Sequence, residues 1–205
     1  MKQRIFNLLI LDESGSMFSI KKQAVDSVNE TLQSVRAAQK KYEDQEHLVS
    51  FVSFNSDGVK TLIDRKEAMV AEDITMEQYN PNCGTPLYDA IGKAVSNLRK
   101  SVAENDKVLV TIITDGYENA STEYNQHSIK AMTEELGKKG WTFAYIGANQ
   151  DVKAVSDGLG IKNSMSFQST TVGTMEMSAK LATSRMKWFS RVADNDATEQ
   201  ENFFE

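Results

Sequence analysis

Cysteine, proline and long apolar runs are all scarce in this 205-residue chain. Its one cysteine, Cys83, excludes an internal disulfide and a cysteine cluster for structural zinc, and it suits a reducing compartment such as the cytoplasm. Only Pro81 and Pro86 are present, so we expect no proline-rich linker. The first apolar run, Ile5 to Leu11, is far shorter than the roughly 20 residues that span a bilayer, and no small-residue cleavage site follows it. We interpret it as a buried strand.

Positive charge is also in short supply. The chain has 23 Lys and Arg residues against 29 Asp and Glu residues, which gives a formal net charge of −6. Binding to nucleic acid needs clustered Lys and Arg to displace the counterions of phosphates, so we expect no nucleic-acid partner, and no membrane partner either. An acidic protein ligand would require a local positive charge, which a bound cation can supply.

Short runs rich in Val, Ile, Leu and Phe alternate with longer segments of helical period. This alternation is typical of βα units around a buried, mostly parallel sheet, and the length suits a single domain. The strongest strand predictions are Ile5–Leu11, Leu48–Phe54, Lys107–Thr114 and Trp141–Gly147, and the weaker ones are Thr61–Asp64 and Ser164–Phe167. We therefore predict an α/β fold.

Apolar residues at helical spacing predict helices between these strands. They begin near Ile20, Leu87, Ile129 and Val152. A last helix carries an apolar stripe that we expect to cover the sheet, consisting of Met175, Ala179, Ala182, Met186 and Phe189. We place the domain at residues 1–193 and expect an acidic, mobile tail at residues 194–205, with an anchor available at Phe203 and Phe204.

Oxygen-bearing side chains occupy alternate positions directly after the first strand. Asp12, Ser14 and Ser16 form this series, and Gly15 allows the backbone to turn sharply. Hard divalent cations prefer such oxygen ligands. On its own, however, an Asp-x-Ser-x-Ser segment is most often a turn or a helix cap.

Two further oxygen donors fall at comparable places along the chain. Asp115 follows the strand Lys107–Thr114, and Thr85 lies in the loop that opens the helix beginning near Leu87. Ligands of parallel α/β sheets bind beyond the carboxyl ends of the strands. We therefore expect the loops of Asp12, Thr85 and Asp115 to meet at one edge of the sheet.

Three sequence motifs, in this order, resemble the von Willebrand factor A family and its metal-ion-dependent adhesion site. They are Leu-Asp-Glu-Ser-Gly-Ser-Met from Leu11, Gly-Thr-Pro-Leu-Tyr-Asp-Ala from Gly84, and Ile-Thr-Asp-Gly from Ile113. The resemblance covers roughly residues 5–167 and the last helix. It implies a Rossmann-like, doubly wound fold with about six strands, one of them a short antiparallel edge strand, and with helices on both faces of the sheet.

The resemblance also implies a role for each site residue. Ser14 and Ser16 would bind the cation directly, whereas Thr85, Asp12 and Asp115 would bind it directly or through water. Mg²⁺ is the expected ion, with Mn²⁺ and Ca²⁺ as alternatives, because a small near-octahedral set of hydroxyl, water and carboxylate oxygens suits Mg²⁺ best.

The function implied is cation-dependent binding of a protein that offers an Asp or Glu carboxylate. Stand-alone cytoplasmic members of the family, of the bacterial type, often work beside an AAA+ ATPase or in stress-response gene clusters. The resemblance therefore suggests an AAA+ ATPase or a stress-response protein as that partner. The alternative is a Mg²⁺-dependent hydrolase or phosphotransferase that uses Asp12. We expect no enzyme, because the sequence has no phosphate-binding Gly-Lys-Ser/Thr loop and no Gly-x-Ser-x-Gly elbow, and His47 and His127 lie away from the predicted site.

Overall fold

Strands and helices alternate along almost the whole chain. The computed structural model describes residues 2–196 and 202–204. A 3-10 helix at Gly15–Ile20 follows the first strand. The strands are β1 Gln3–Asp12, β2 Gln45–Asn55, β3 Gly58–Glu67, β4 Lys107–Thr114, β5 Trp141–Gly147 and β6 Asn163–Ser166. The helices are α1 Lys21–Lys41, α2 Leu87–Arg99, α3 Gln126–Gly137, α4 Val152–Gly158 and α5 Thr171–Ala193.

The strands form one six-stranded sheet in the order β3-β2-β1-β4-β5-β6. All neighbouring pairs are parallel except β2 and β3, which are antiparallel. This confirms the predicted doubly wound α/β fold with one antiparallel edge strand. That strand, β3, has ten residues, so it is longer than expected. Because β1 and β4 are parallel neighbours, Asp12 and Asp115 follow strands that end at the same edge of the sheet.

Side chains alternate between the two faces of the sheet, and each face is covered by its own helices. In β1, Ile5, Leu9 and Leu11 join the core under α1 and α5, which also includes the segment from Ala68 to Tyr79. Phe6, Leu8 and Ile10 join the core under α2, α3 and α4. This two-sided burial explains why the strands read as continuous apolar runs. Within residues 2–196, no helix combines the length and apolar character needed to cross a membrane.

The last helix buries a different face from the one predicted. Its buried apolar residues are Met177, Leu181, Trp188, Phe189 and Val192. Of the predicted stripe only Phe189 is fully buried, and Met175 is 63% exposed. The apolar pattern misled the assignment because a charged residue, Arg185, lies on the true inner face, while methionines and alanines extend onto the outer one.

Arg185 is a buried cation that has no carboxylate partner among the described residues. Its side chain is 2% exposed, and its guanidinium donates to hydroxyls of Thr31 at 3.1 Å and of Ser34 and Thr111 at 3.5 Å. Burial lowers the pKa of Arg185 to about 10, so the group is still charged at neutral pH. Three hydroxyls, two of them at long range, compensate only part of the cost of removing this charge from water.

Replacing Arg185 with methionine is therefore expected to leave the fold intact and to stabilise it, by up to about 4 kcal/mol, because an apolar side chain of similar length removes the desolvation cost. Urea unfolding monitored by circular dichroism measures this change. A loss of stability in Arg185→Met would instead show that the three hydroxyl contacts outweigh the cost of burial.

The end of the acidic tail packs on the domain at Phe203. This ring is 1% exposed and belongs to the core under α1 and α5. The backbone N–H of Phe203 donates to Asn163 Oδ1 at 2.9 Å, and Arg191 Nη1 donates to the Asn202 carbonyl at 3.0 Å. The predicted anchor is thus in place, while residues 197–201 and 205 lie outside the described part of the chain, and the domain boundary at residue 193 stays a prediction.

Phe203→Ala is expected to lower the free energy of unfolding by about 3–5 kcal/mol, the usual range for a buried phenylalanine. The matched control is Phe204→Ala, because the Phe204 ring is only partly buried and should cost clearly less. Equal stabilities of the two variants in urea unfolding would contradict the assignment of Phe203 to the core.

Candidate metal centre

Asp12 lies at the carboxyl end of β1 with both carboxylate oxygens engaged. Its side chain is fully buried. Oδ1 accepts the backbone N–H of Ser14 at 2.7 Å, and Oδ2 accepts the hydroxyl of Thr114 at 2.6 Å. The Tyr79 hydroxyl donates to the Asp12 carbonyl at 2.5 Å. These contacts fix the orientation of the carboxylate at the edge of the sheet.

Ser14, Ser16 and Asp115 form a chain of short contacts beside Asp12. Ser14 Oγ and Ser16 Oγ are 3.1 Å apart, and Ser16 Oγ donates to Asp115 Oδ1 at 2.5 Å. The other oxygen of Asp115 accepts the Ser169 hydroxyl at 3.3 Å, from the loop just before α5. Ser16 is exposed, whereas Ser14 and Asp115 are each 2% exposed. The cluster therefore opens to solvent at Ser16.

The loop that carries Thr85 is tied to the loop after β1 by backbone hydrogen bonds. Gly15 N–H donates to the Cys83 carbonyl at 3.0 Å, and Asn82 N–H donates to the Glu13 carbonyl at 2.9 Å. A Cβ placed on Gly116 would lie 3.8 Å from Ser16 Oγ and 3.9 Å from Thr85 Oγ1. Because position 116 is a glycine, both hydroxyls border space that a side chain would partly fill.

Asn119 fixes the backbone of Thr85 from the opposite loop. Thr85 N–H donates to Asn119 Oδ1 at 2.8 Å, and Asn119 N–H donates to the Thr85 carbonyl at 3.1 Å. Two carboxylates in turn hold the loop of Asn119 against the start of α2. Asp89 accepts three backbone N–H groups of residues 122–124, and Glu118 accepts those of Tyr88, Ala120 and Ser121. The Thr85 hydroxyl thus sits on a braced loop.

Negative charge accumulates at this edge, and no basic side chain among the described residues forms an ion pair with Asp12, Glu13 or Asp115. Burial raises the pKa of Asp12 to about 6; hydrogen bonds from Thr114 and Ser14 oppose the rise, and the charge of Asp115 adds to it. Glu13 is also buried and accepts hydrogen bonds from the Ser53 hydroxyl and the backbone N–H of Asn80. Burial likewise raises the pKa of Tyr79. A cation at this edge would relieve the repulsion between the carboxylates.

The five predicted ligand residues lie together and form a donor set that fits a hard cation. Two carboxylates and three hydroxyls provide oxygen and no sulfur or nitrogen, the chemistry that Mg²⁺ and Mn²⁺ prefer. The described residues contain no cluster of three or more His, Cys, Asp and Glu side chains able to hold a metal, which accords with a set built largely from hydroxyls. The residues are Asp12, Ser14, Ser16, Thr85 and Asp115.

Sequence reasoning missed several residues that position these donors, among them Tyr79, Thr114 and Ser169. Thr114 was within reach of the sequence, because it directly precedes Asp115 in the third motif. Ser169 and Tyr79 gave no such signal, since each lies in a loop distant in sequence from the carboxylate or carbonyl that it contacts. His47 is buried against Phe189, and its Nε2 contacts Gln45 Oε1, so it has a structural place away from the site.

A comparison of the sequence with known protein families shows the family to which the chain belongs. The von Willebrand factor type A domain matches residues 8–180, and the chain belongs to this family. Domains of this family are in general metal-dependent protein-interaction modules. No curated protein sequence matches the chain.

Solved structures share the fold at low sequence identity. A mutant of the PilB minor pilin from Streptococcus sanguinis aligns with a TM-score of 0.60 and 13% identity, over 100% of this chain and 63% of the pilin chain. The pilus adhesin SpaC from Lactobacillus rhamnosus GG aligns with a TM-score of 0.68 and 13% identity, over 92% of this chain and 30% of the adhesin chain. The SpRpn10 VWA domain aligns with a TM-score of 0.62 and 8% identity, over 88% of this chain and 95% of that domain's chain. This chain therefore spans less than two thirds of the pilin and adhesin chains but nearly all of a VWA domain.

The raised pKa of Asp12 predicts a pH dependence of stability for the metal-free protein. In the unfolded chain an aspartate has a pKa of about 3.9, so between that value and about 6 the folded state binds the proton more tightly. Stability contributed by Asp12 is therefore present below pH 4 and is lost as the pH rises through 6, by about 3 kcal/mol in total. Urea unfolding in a chelating buffer across this range measures it.

Asp12→Asn serves as the control, because it keeps the shape of the side chain and removes the titration. The difference in unfolding free energy between the two proteins should change with pH between about 4 and 6. A constant difference would show that Asp12 titrates normally in the folded protein.

Proposed function

We propose that this chain is a divalent-cation-dependent protein-binding module, in which the partner contributes a carboxylate from an Asp or Glu side chain. Ser14 and Ser16 would hold the cation directly, and Thr85, Asp12 and Asp115 directly or through water. The observation that carries the proposal is the convergence of these donors around an opening at Ser16, with the carboxylates buried behind it.

The donor chemistry explains why the partner should be acidic. When bound, the cation supplies an electrophilic position that an outside carboxylate oxygen can occupy. Hydroxyl ligands are neutral and reduce the charge of the ion little, so that position stays attractive to an anion. The protein itself has a net charge of −6. Without the ion, an acidic partner would meet Asp12, Glu13 and Asp115 and be repelled.

Mg²⁺ is the proposed ion, because a compact set of hydroxyl and carboxylate oxygens suits its small octahedral shell, and Mn²⁺ and Ca²⁺ are the alternatives. The proposed location is the cytoplasm, where the exposed thiol of Cys83 would stay reduced. An AAA+ ATPase or a stress-response protein is the proposed class of partner.

We propose no catalytic role. Both oxygens of Asp12 accept hydrogen bonds and the side chain is fully buried, so neither oxygen is open to the attack on a substrate that a nucleophile must make. The contrasting function, a Mg²⁺-dependent hydrolase or phosphotransferase, predicts turnover of generic phosphate or ester substrates. Turnover that is lost in Asp12→Ala would contradict the binding-module proposal.

Asp115→Ala is expected to abolish Mg²⁺ binding and leave the fold intact, because within the described residues the hydrogen bonds of this carboxylate come from the hydroxyls of Ser16 and Ser169 and not from the core. Mg²⁺ at a hundredfold excess over its dissociation constant should stabilise the unmutated protein by about 2.7 kcal/mol and the variant not at all. Calorimetric titration and urea unfolding measure the two effects. The control is Asp157→Ala on α4, whose carboxylate pairs with Lys153 at the surface and should not affect binding.

The partner itself can be sought by affinity capture from native lysate in Mg²⁺ and, in parallel, in chelator. The proposal expects a protein that is retained only with the ion and is lost with Asp115→Ala. Capture that survives both chelation and the substitution would contradict the mechanism, even where the metal is shown to bind.

A further inference from the structure

Large apolar side chains are exposed around the candidate metal centre. Among the described residues, seven large hydrophobic side chains are prominently exposed. Four of them lie on segments that meet at the site: Phe18, Tyr117, Val172 and Met175, which are 71%, 55%, 64% and 63% exposed. We call these four residues the apolar rim. Single exposed apolar residues are ordinary, but a group of them around a site that opens to solvent indicates a contact surface.

Hydrogen bonds place three rim residues on one side of the site. Phe18 is two residues after Ser16, in the 3-10 helix that leads into α1. Gln23, early in α1, donates to the Thr171 hydroxyl at 3.3 Å and so joins the starts of α1 and α5. Val172 and Met175 are three residues apart in the first turns of α5 and share a face of that helix. The loop just before α5 reaches the site, because its Ser169 hydroxyl donates to Asp115 Oδ2.

Tyr117 is the rim residue on the other side of the candidate metal centre. It follows Asp115 by two residues, and its hydroxyl accepts the backbone N–H of Asp151 at 3.0 Å. The ring is therefore held in place although more than half of it is exposed. A fixed aromatic ring offers contact area at little cost in conformational entropy, which is why such residues dominate binding surfaces.

Few unpaired basic side chains lie near this edge in the described part of the chain. Lys22 pairs with Asp26 and Lys153 pairs with Asp157, whereas Lys21 donates to the neutral amide oxygen Asn80 Oδ1 and keeps its charge. Apart from a bound cation and Lys21, the surface around Ser16 therefore has mainly apolar contacts to offer. A run of several acidic residues would gain few ionic contacts there and would be repelled by the remaining carboxylates.

We propose that the partner's carboxylate is flanked by bulky apolar side chains, which pack on the apolar rim, and that it is not part of an acidic run. This inference rests on the proposed function, since the carboxylate itself is taken to meet the cation. The rim then supplies the selectivity among acidic ligands that a single metal contact lacks.

Two fluorescently labelled peptides with amidated C-termini test the inference by anisotropy in Mg²⁺: Gly-Leu-Phe-Asp-Leu-Gly and Gly-Ser-Gly-Asp-Ser-Gly. Both carry the same single carboxylate, so they differ only in apolar flanks. We expect the apolar peptide to bind at least about tenfold more tightly, because burying even one large side chain is worth that factor. Equal, Mg²⁺-dependent affinities would overturn the inference and leave the proposed function standing. If neither peptide binds, or if binding survives chelation, both fail.

Matched variants locate the effect on the protein. The double substitution Val172→Ser and Met175→Ser should lower the affinity for the apolar peptide toward that for the polar one and leave calorimetric Mg²⁺ binding unchanged. The control replaces Met69 and Val70, which are 49% and 62% exposed and lie at the other end of β2, where Ala68 N–H donates to the His47 carbonyl. An equal loss in the control, or no loss in the rim variant, would contradict the assignment of the rim.

Discussion

Two buried carboxylates at the ends of neighbouring strands set the main constraint on this protein. The parallel pairing of β1 and β4 brings Asp12 and Asp115 to the same edge, where Ser14 and Ser16 hydroxyls lie between them. Each carboxylate accepts hydrogen bonds, but the described residues place no basic side chain in contact with either. Like charges held in a partly dry site are unfavourable unless they are protonated or shared by a cation. The arrangement is therefore one that a bound ion stabilises.

Rigid loops are the second requirement of such a site, because a cation with a small shell tolerates little movement of its ligands. Here hydrogen bonds supply much of that rigidity. Gly15 and Asn82 join the first two loops through the backbone, and Asn119 clamps both backbone groups of Thr85. The carboxylates of Asp89 and Glu118 then accept hydrogen bonds from backbone N–H groups of the loop after Asp115. These two acidic residues position the loop, whereas Asp12 and Asp115 are candidate ligands of the cation.

Much of the fold, and the meeting of the five candidate ligand residues at one edge, could be predicted from the sequence because both depend on local patterns. Strands buried on two faces read as apolar runs, and Asp12, Ser14, Ser16, Thr85 and Asp115 sit in motifs of fixed spacing. The inner face of α5 could not be predicted in this way. It depends on Arg185 finding hydroxyls on α1 and β4, and on the Trp188 indole N–H donating to Thr142 at 3.1 Å. Contacts of this kind join residues that are far apart in sequence and leave no periodic trace.

The buried Arg185 does not balance the negative charge of Asp12 and Asp115 at the sheet edge, because it lies too far away. Its guanidinium reaches Thr111, four residues before Asp115 on the same strand, which corresponds to about 13 Å along β4. At that separation and an effective dielectric constant near 20, two unit charges interact by only about 1 kcal/mol. Arg185, the one buried cation in the described part of the core, is thus too distant to neutralise Asp12 and Asp115. Balancing them requires a positive charge at the edge itself, and the oxygen donors that open at Ser16 are suited to hold one.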